Sequence, residues 1–352
     1  MTLRGSTGNV VSMDVDKVLL AEPRGFCAGV EKAIKALAWM VRVFDAPVYC
    51  YHEIVHNQHV VNRFIEQGVI FVDEISDVPP GAPLMLSAHG SAPEVVEEAR
   101  LHDRIVVDAV CPLVTKVHHE LKVRSRKGFQ VLYVGHAGHE EAVGTMAVAP
   151  DAVHLVESSA DLERAASTIP PGTPVALLAQ TTLSHDEWSA LMEEARERFP
   201  DLWMPNRSDL CFATTNRQTA LRAIAGSADV VVVIGSANSS NTVALAKVAA
   251  NSGCPRVIRV NEATELPDDL EGIVGVTAGA SAPDRLVEEV IAKLAPRNGV
   301  EVMAVTLEDE YFPPPPELRE LLRRLDDRYA EELGEDRDVS AASVLDSLVA
   351  EQ

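Results

Sequence analysis

Three cysteines set the first constraint on this chain. Cys27 in "PRGFCAGV", Cys111 in "DAVCPLVTKV" and Cys211 in "SDLCFATTNRQ" each stand just ahead of a helix-like run, 84 and 100 residues apart. The polar residue that ends the next strand-like run repeats the interval, because His56, His139 and Asn238 lie 83 and 99 residues apart. A third series, Ser91/Glu94, Ser184/Glu187 and Ser281/Asp284, has the Ser-x-x-acid form of a helix capping box and spacings of 93 and 97. One capping box means little, but three series in step predict three similar units of about 90 residues each.

Within each unit, strand-like runs alternate with amphipathic helix patterns, the signature of an α/β fold with largely parallel sheet. The strand candidates are "KVLLAE", "APVYCYHEI", "PLMLSA", "RIVVDAV", "QVLYVGH", "PVALLAQ", "DVVVVIG" and "GIVGVTAG". The expected division is a disordered arm over residues 1–16 and α/β units over 17–110, 111–208 and 209–312. A Pro-rich junction and acidic helical extension over 313–352 follows, opened by four prolines, Pro313 to Pro316. Ligands of open parallel sheets collect at the carboxyl ends of the strands. A trefoil-like arrangement about a pseudo-threefold axis, strand ends inward, would therefore gather Cys27, Cys111 and Cys211. Cys50 and Cys254 fall outside the register and read as small packing residues.

Charge and hydropathy exclude whole classes. The net charge of −22 argues against a nucleic-acid footprint. Residues 301–352 hold 15 acids and 5 bases, so the body is acidic without them. The longest apolar stretches, such as "ADVVVVIGSA" from Ala228, fall well short of the roughly 18 residues that a membrane span needs. The N-terminus lacks an apolar signal region, so a cytoplasmic protein with reduced thiols is expected.

Three thiolates can hold zinc or an iron–sulfur cluster. Structural zinc cysteines usually come in close pairs, and no CxxC occurs here. Three ligands from three units suit a larger object, and a cluster with three cysteines keeps one iron open. Near the same strand ends lie His56, His89, His139, Thr181, Ser239, Ser240, Asn241 and Ser281. Imidazoles and hydroxyl-rich helix N-termini can bind phosphate with almost no Lys or Arg. "GHAGH" lacks GxGxxG, which argues against a dinucleotide loop. Glu140 and Glu141 follow His139 at a strand-to-helix turn, where one can point inward as a proton relay.

The motifs "PRGFCAGV", "IVHN", "SAHG", "DAVCPLVTKVH", "GHAGHEEAVGTM", "QTTLS", "DLCFATTNRQ", "GSANSSN" and "VTAGASAPD" cover roughly residues 17 to 310. Through them the chain resembles the IspH/LytB family of 4-hydroxy-3-methylbut-2-enyl diphosphate reductases. The resemblance implies one [4Fe-4S] cluster on Cys27, Cys111 and Cys211, with one open iron site. It places the diphosphate against His56, His89, His139, Ser239, Ser240, Asn241 and Ser281, with Thr181 near the substrate hydroxyl. It makes Glu141, beside His139, the proton relay, while Glu140 stands where the family often has Pro. The implied reaction is reductive dehydroxylation to isopentenyl and dimethylallyl diphosphate, the last step of the non-mevalonate isoprenoid pathway. An electron donor such as ferredoxin or flavodoxin is implied, and a monomer or weak dimer is expected. The residues alone leave two other readings: a zinc hydrolase on the three cysteines, and a non-catalytic iron–sulfur redox sensor.

Overall fold

The computed structural model describes residues 13–333. Most of the expected N-terminal arm, residues 1–12, and the end of the C-terminal extension, residues 334–352, lie outside the described residues. Residues 14–16 of that arm already belong to the first strand.

Along the chain the strands are β1 (Asp14–Glu22), β2 (Val48–Tyr51), β3 (Val69–Val72), β4 (Pro83–Leu86), β5 (Ile105–Asp108) and β6 (Gln130–Val134). They continue with β7 (Val153–Val156), β8 (Val175–Ala179), β9 (Val230–Ile234), β10 (Arg256–Val260), β11 (Glu271–Ala278) and β12 (Val300–Ala304). The helices are α1 (Ala28–Val43), α2 (Gln58–Glu66), α3 (Pro93–Ala99), α4 (Pro112–Arg126), α5 (Glu140–Ala147) and α6 (Ser159–Thr168). After them come α7 (His185–Arg198), α8 (Phe212–Ala225), α9 (Ser240–Asn251), α10 (Asp284–Leu294) and α11 (Pro316–Leu333).

The protein is an α/β fold in which all recorded strand pairs are parallel. The strand orders are β10-β9-β11-β1-β12, β3-β2-β4-β5 and β7-β6-β8. The same arrangement recurs in each: β9, β2 and β6 each have the next strand in sequence on one side and the one after that on the other. A fourth position follows the third strand, taken by β5, by β1, and in the last sheet by a single parallel bridge from Trp203 to Ala176. Each of the three repeated cysteines follows this fourth position in the chain. The sequence-based boundaries gave β1 to the first unit, yet it pairs with β11 and β12. Its "KVLLAE" run is apolar on both faces, which suits an interior strand.

The chain separates into two compact units. One contains the residues up to Phe26 with Thr215–Glu308, and the other Cys27–Thr214 with the segment from Asp309. In the first, Val18, Val232, Val274 and Val276 pack with Leu286 and Val290 of α10, while Leu221, Ile224 and Leu245 cover the opposite face. Cys254 is buried among the latter group. In the second, Val134, Leu177 and Ala179 pack with Trp188 and Leu191 of α7. Cys50, in β2, is fully buried.

The Ser184/Glu187 capping box forms as expected. The other two do not. α3 starts at Pro93 behind Ala92, and α10 starts behind Pro283, neither with a side-chain cap bond. In both "SAP" stretches the proline, with its fixed φ, stands at the helix start and leaves the serine outside it. α11 packs on β5, with Leu318 and Leu322 buried. Leu318, Leu321, Leu322, Leu325 and Tyr329 recur at helical spacing in the sequence of α11, and the side chains of Leu325 and Tyr329 lie outside the described residues.

Candidate functional site

The second compact unit holds all three repeated cysteines. Cys27 is the N-cap of α1 and Cys111 the N-cap of α4, and neither makes a side-chain cap bond. Cys211 directly precedes α8, with its sulfur 3.2 Å from the Thr214 amide and 3.0 Å from the Thr214 hydroxyl. The three thiols lie near one another. A Cβ at Gly29 would sit 2.8 Å from Cys111 Sγ and 3.9 Å from Cys27 Sγ, so only glycine leaves the sulfurs this space. Burial pushes the Cys111 thiol up to about 11 and the Cys211 thiol up to about 12, and in each case the Cys27 thiol adds to the rise. Sulfurs that resist a shared negative charge are a donor set for cations, because a bound metal replaces their protons. Lys32 of α1 donates to the Val110 carbonyl at 2.8 Å, tying the Cys27 helix to the Cys111 loop.

Polar groups from four strand ends stand beside the thiols. The Cys111 amide donates to the Ala88 carbonyl, and the Cys211 amide to the Thr181 carbonyl, each at 3.0 Å. Three imidazoles gather here. His56 and His89 stack with centroids 4.0 Å apart and planes 13° apart, and His139 meets both edge-on at 5.4 and 6.3 Å. His139 caps α5: its Nδ1 accepts from the Glu141 amide at 3.1 Å, which assigns the proton to Nε2. That Nε2 is buried with no partner. Burial, then His89 and His56, press the His139 pKa down to about 3, so the ring is a neutral donor.

Donor atoms of His56, His89 and Glu140 come within 4.8 Å of one another, close enough for a metal ion. Two of these three groups, His56 and His89, also form the nearly parallel stacked face. Ring N–H groups on such a face can serve as separate hydrogen-bond donors to an anion.

Glu141 is 2% exposed. Its Oε1 accepts from the Thr181 amide at 2.7 Å and its Oε2 from the Thr181 hydroxyl at 2.9 Å. Burial raises its pKa to about 7, against these two bonds, which lower it. A carboxyl that titrates near neutrality can deliver a proton at physiological pH. Gly144 explains how α5 reaches this position, since a Cβ there would lie 2.2 Å from the Gly90 carbonyl oxygen.

The remaining sequence candidates are grouped in the other unit. Ser239 caps α9 by accepting from the Thr242 amide. Asn241 is buried and its Oδ1 accepts from the Ala280 amide at 2.9 Å, next to the buried Ser281. Ser240 opens α9. Together they form one polar corner at the carboxyl ends of β9 and β11.

Sequence reasoning missed four contributors. Asp209 is buried, pairs with Lys116 at 3.2 Å and accepts from the Ala179 amide. Its counterpart Asp108 accepts from the Val110 amide. An Asp two or three residues before Cys211 and Cys111 is a repeated signal that was there to read. Arg217, 1% exposed, donates to the Gly25 and Phe26 carbonyls just ahead of Cys27 and to Glu308. His52, held at a positive φ of 59°, sits 3.5 Å from Glu140 and carried no spacing signal.

Comparison with known proteins follows the same lines. The family model described as LytB protein matches residues 18–295. A 4-hydroxy-3-methylbut-2-enyl diphosphate reductase of Leifsonia xyli subsp. xyli is 46% identical over 324 residues, covering 90% of this chain and 95% of the relative. The enzyme of the same name from Escherichia coli O1:K1 / APEC is 44% identical over 318 residues, covering 88% of this chain and all of the relative. The solved structure of the E-1-hydroxy-2-methyl-but-2-enyl-4-diphosphate reductase from Plasmodium falciparum superposes with a TM-score of 0.84 at 30% identity, covering 89% of this chain and 99% of that one. With a family match across most of its length, and relatives that it covers almost end to end, the chain belongs to the LytB protein family.

Proposed function

We infer that the protein reduces 4-hydroxy-3-methylbut-2-enyl diphosphate, removing its allylic hydroxyl to give isopentenyl and dimethylallyl diphosphate. The observation that carries this reading is the joining of two features in one compact unit. Three mutually close thiols lie one backbone hydrogen bond from Thr181, and Thr181 holds a buried Glu141 whose pKa is about 7. The zinc hydrolase and the redox sensor are set aside, since the relatives are named as reductases.

Cys27, Cys111 and Cys211 would hold a [4Fe-4S] cluster, with one iron left open by the lack of a fourth thiol. When bound, such a cluster supplies electrons and an electrophilic iron for the departing oxygen. The finer architecture, three units about a pseudo-threefold axis with the cluster at the centre, is part of the same proposal. It is supported by the repeated strand order and by the cysteine after each fourth strand position.

The chain's own residues supply binding and protons. His139 offers an orphaned Nε2–H, and His56 and His89 present a stacked face, to the diphosphate. Ser239, Ser240, Asn241 and Ser281 would add hydroxyl, amide and helix N-terminal donors. Thr181, held against Glu141, would contact the substrate near its hydroxyl. Glu141 would protonate the leaving oxygen so that water departs. The balance is two electrons and two protons for each hydroxyl lost as water.

An acidic one-electron carrier such as ferredoxin or flavodoxin would supply the electrons, in the cytoplasm, to a monomer or weak dimer. No helix among the described residues is long and apolar enough to cross a membrane. The test is anaerobic purification followed by iron and sulfide analysis and a turnover assay with and without reductant. Iron and sulfide in cluster ratio with reductant-dependent substrate loss is expected. Zinc in their place, or turnover without reductant, would overturn the reading.

A further inference from the structure

We propose that Glu140 is a positioning residue that stations a proton on His89 as the diphosphate group of the substrate arrives. The proposal rests on the reading of the imidazole face as the diphosphate site. Sequence reasoning gave Glu140 no part in binding, because the resemblance assigned the proton relay to Glu141 alone. The structure turns it inward.

Glu140 Oε2 lies 2.8 Å from His89 Nδ1, and Oε1 lies 3.5 Å from His52 Nδ1. The contact to His89 is short but poorly directed, so Glu140 Oε2 has no well-formed hydrogen bond in the free protein. Ser87 Oγ is the other neighbour of His89 Nδ1, at 3.4 Å. The carboxylate is thus set against the nitrogen of His89 that a proton would occupy.

His89 needs that help because of its surroundings. It stacks on His56 at 4.0 Å, and two face-to-face imidazoliums would repel strongly in this partly buried place. Burial, followed by His56, holds His89 below the ordinary histidine range, and Glu140 and Glu53 oppose them. Burial pushes the Glu140 carboxyl up, but the facing His52 and His89 rings win and hold it well below the usual carboxylate range. Glu140 in turn lifts His52, against burial. The titratable groups around His89 are therefore His52, Glu53 and His56 after β2, and His139 and Glu140 at the start of α5. His118 of α4 lies against the adjacent Gly90.

A neutral His89 with its one proton on Nδ1, the nitrogen beside Glu140, has only a lone pair on its other nitrogen. A diphosphate oxygen cannot accept a hydrogen bond from a lone pair. A second proton, taken from solvent, turns His89 into a cation between two anions, Glu140 behind and the diphosphate in front. Binding and proton uptake are then coupled. The sign follows: affinity falls as pH rises between the His89 pKa of the free protein and its higher value in the complex. Without Glu140 both values drop, and the fall begins at a lower pH.

The experiment is calorimetric titration of the anaerobic, cluster-loaded protein with inorganic diphosphate from pH 6 to 8.5. Two buffers of different ionisation heat count the protons taken up. The same ligand is used for every variant, so its own ionisation cancels in the comparison. Wild type is expected to take up a proton near pH 8. Glu140→Gln should take up less and bind about tenfold more weakly there, the equivalent of one pKa unit. The gap should narrow toward the acid end of the range, as the pH approaches the His89 pKa of the free protein and both proteins bind with the proton already in place. Glu140→Pro should behave alike, since residue 140 is the first helical position behind the His139 cap, where proline fits. Wild-type proton uptake in both variants, or an equal loss of affinity at every pH, would overturn the proposal. Failure of wild type to bind diphosphate at all would overturn the reading of the pocket as well.

Discussion

Both oxygens of the Glu141 carboxylate are engaged by Thr181, one by its amide at 2.7 Å and the other by its hydroxyl at 2.9 Å. The grip orients a carboxyl that burial would otherwise leave costly to ionise. Glu141→Gln keeps the shape and removes the proton. Because general acid help is typically worth about 10²–10⁴-fold, turnover should fall by at least roughly a hundredfold while cluster content stays intact. Steady-state kinetics with iron analysis checks both.

Thr181→Val tests the same grip from the other side. The hydroxyl bond lowers the Glu141 pKa, so its loss should carry that pKa above its present value of about 7. Wild-type turnover should decline as pH rises through about 7, because the protonated form is the donor. In Thr181→Val this decline should move to higher pH. A pH profile of kcat in both proteins reads the shift, and an unmoved profile would remove Glu141 from the proton path.

Gly29→Ala places a methyl 2.8 Å from Cys111 Sγ. Iron and sulfide content should fall sharply, as it should in Cys27→Ser, Cys111→Ser and Cys211→Ser. Cys50→Ala and Cys254→Ser should retain nearly full loading, since both thiols sit in apolar cores. Equal loss across all the cysteine variants would dissolve the distinction between ligands and packing residues.

Arg217→Leu removes the donor shared by Glu308 and the Gly25 and Phe26 carbonyls. Breaking a buried charge pair on one side typically costs about 3–5 kcal/mol, so chemical denaturation should show a loss of that order. The backbone just ahead of Cys27 should loosen with it and lower iron content.

Much of this was legible in the chain. The eight strand-like runs correspond to β1, β2, β4, β5, β6, β8, β9 and β11. The four that escaped, β3, β7, β10 and β12, are all edge strands. Their mixed burial reflects packing on fewer sides, and it blurs the apolar run that marks an interior strand. The cysteine register could be read because the repeat copies whole supersecondary units. Glu140 and His52 could not. Their meaning comes from a contact across 88 residues of chain, and neither belongs to a repeated position.

The central claim is reductive loss of the allylic hydroxyl with the diphosphate kept whole. Its most direct measurement is product analysis by mass spectrometry after anaerobic incubation of the cluster-loaded protein with 4-hydroxy-3-methylbut-2-enyl diphosphate and a one-electron reductant. The account predicts isopentenyl and dimethylallyl diphosphate, formed only with reductant and with no phosphate released. Phosphate release, or recovery of unchanged substrate from fully loaded and reduced protein, would contradict it.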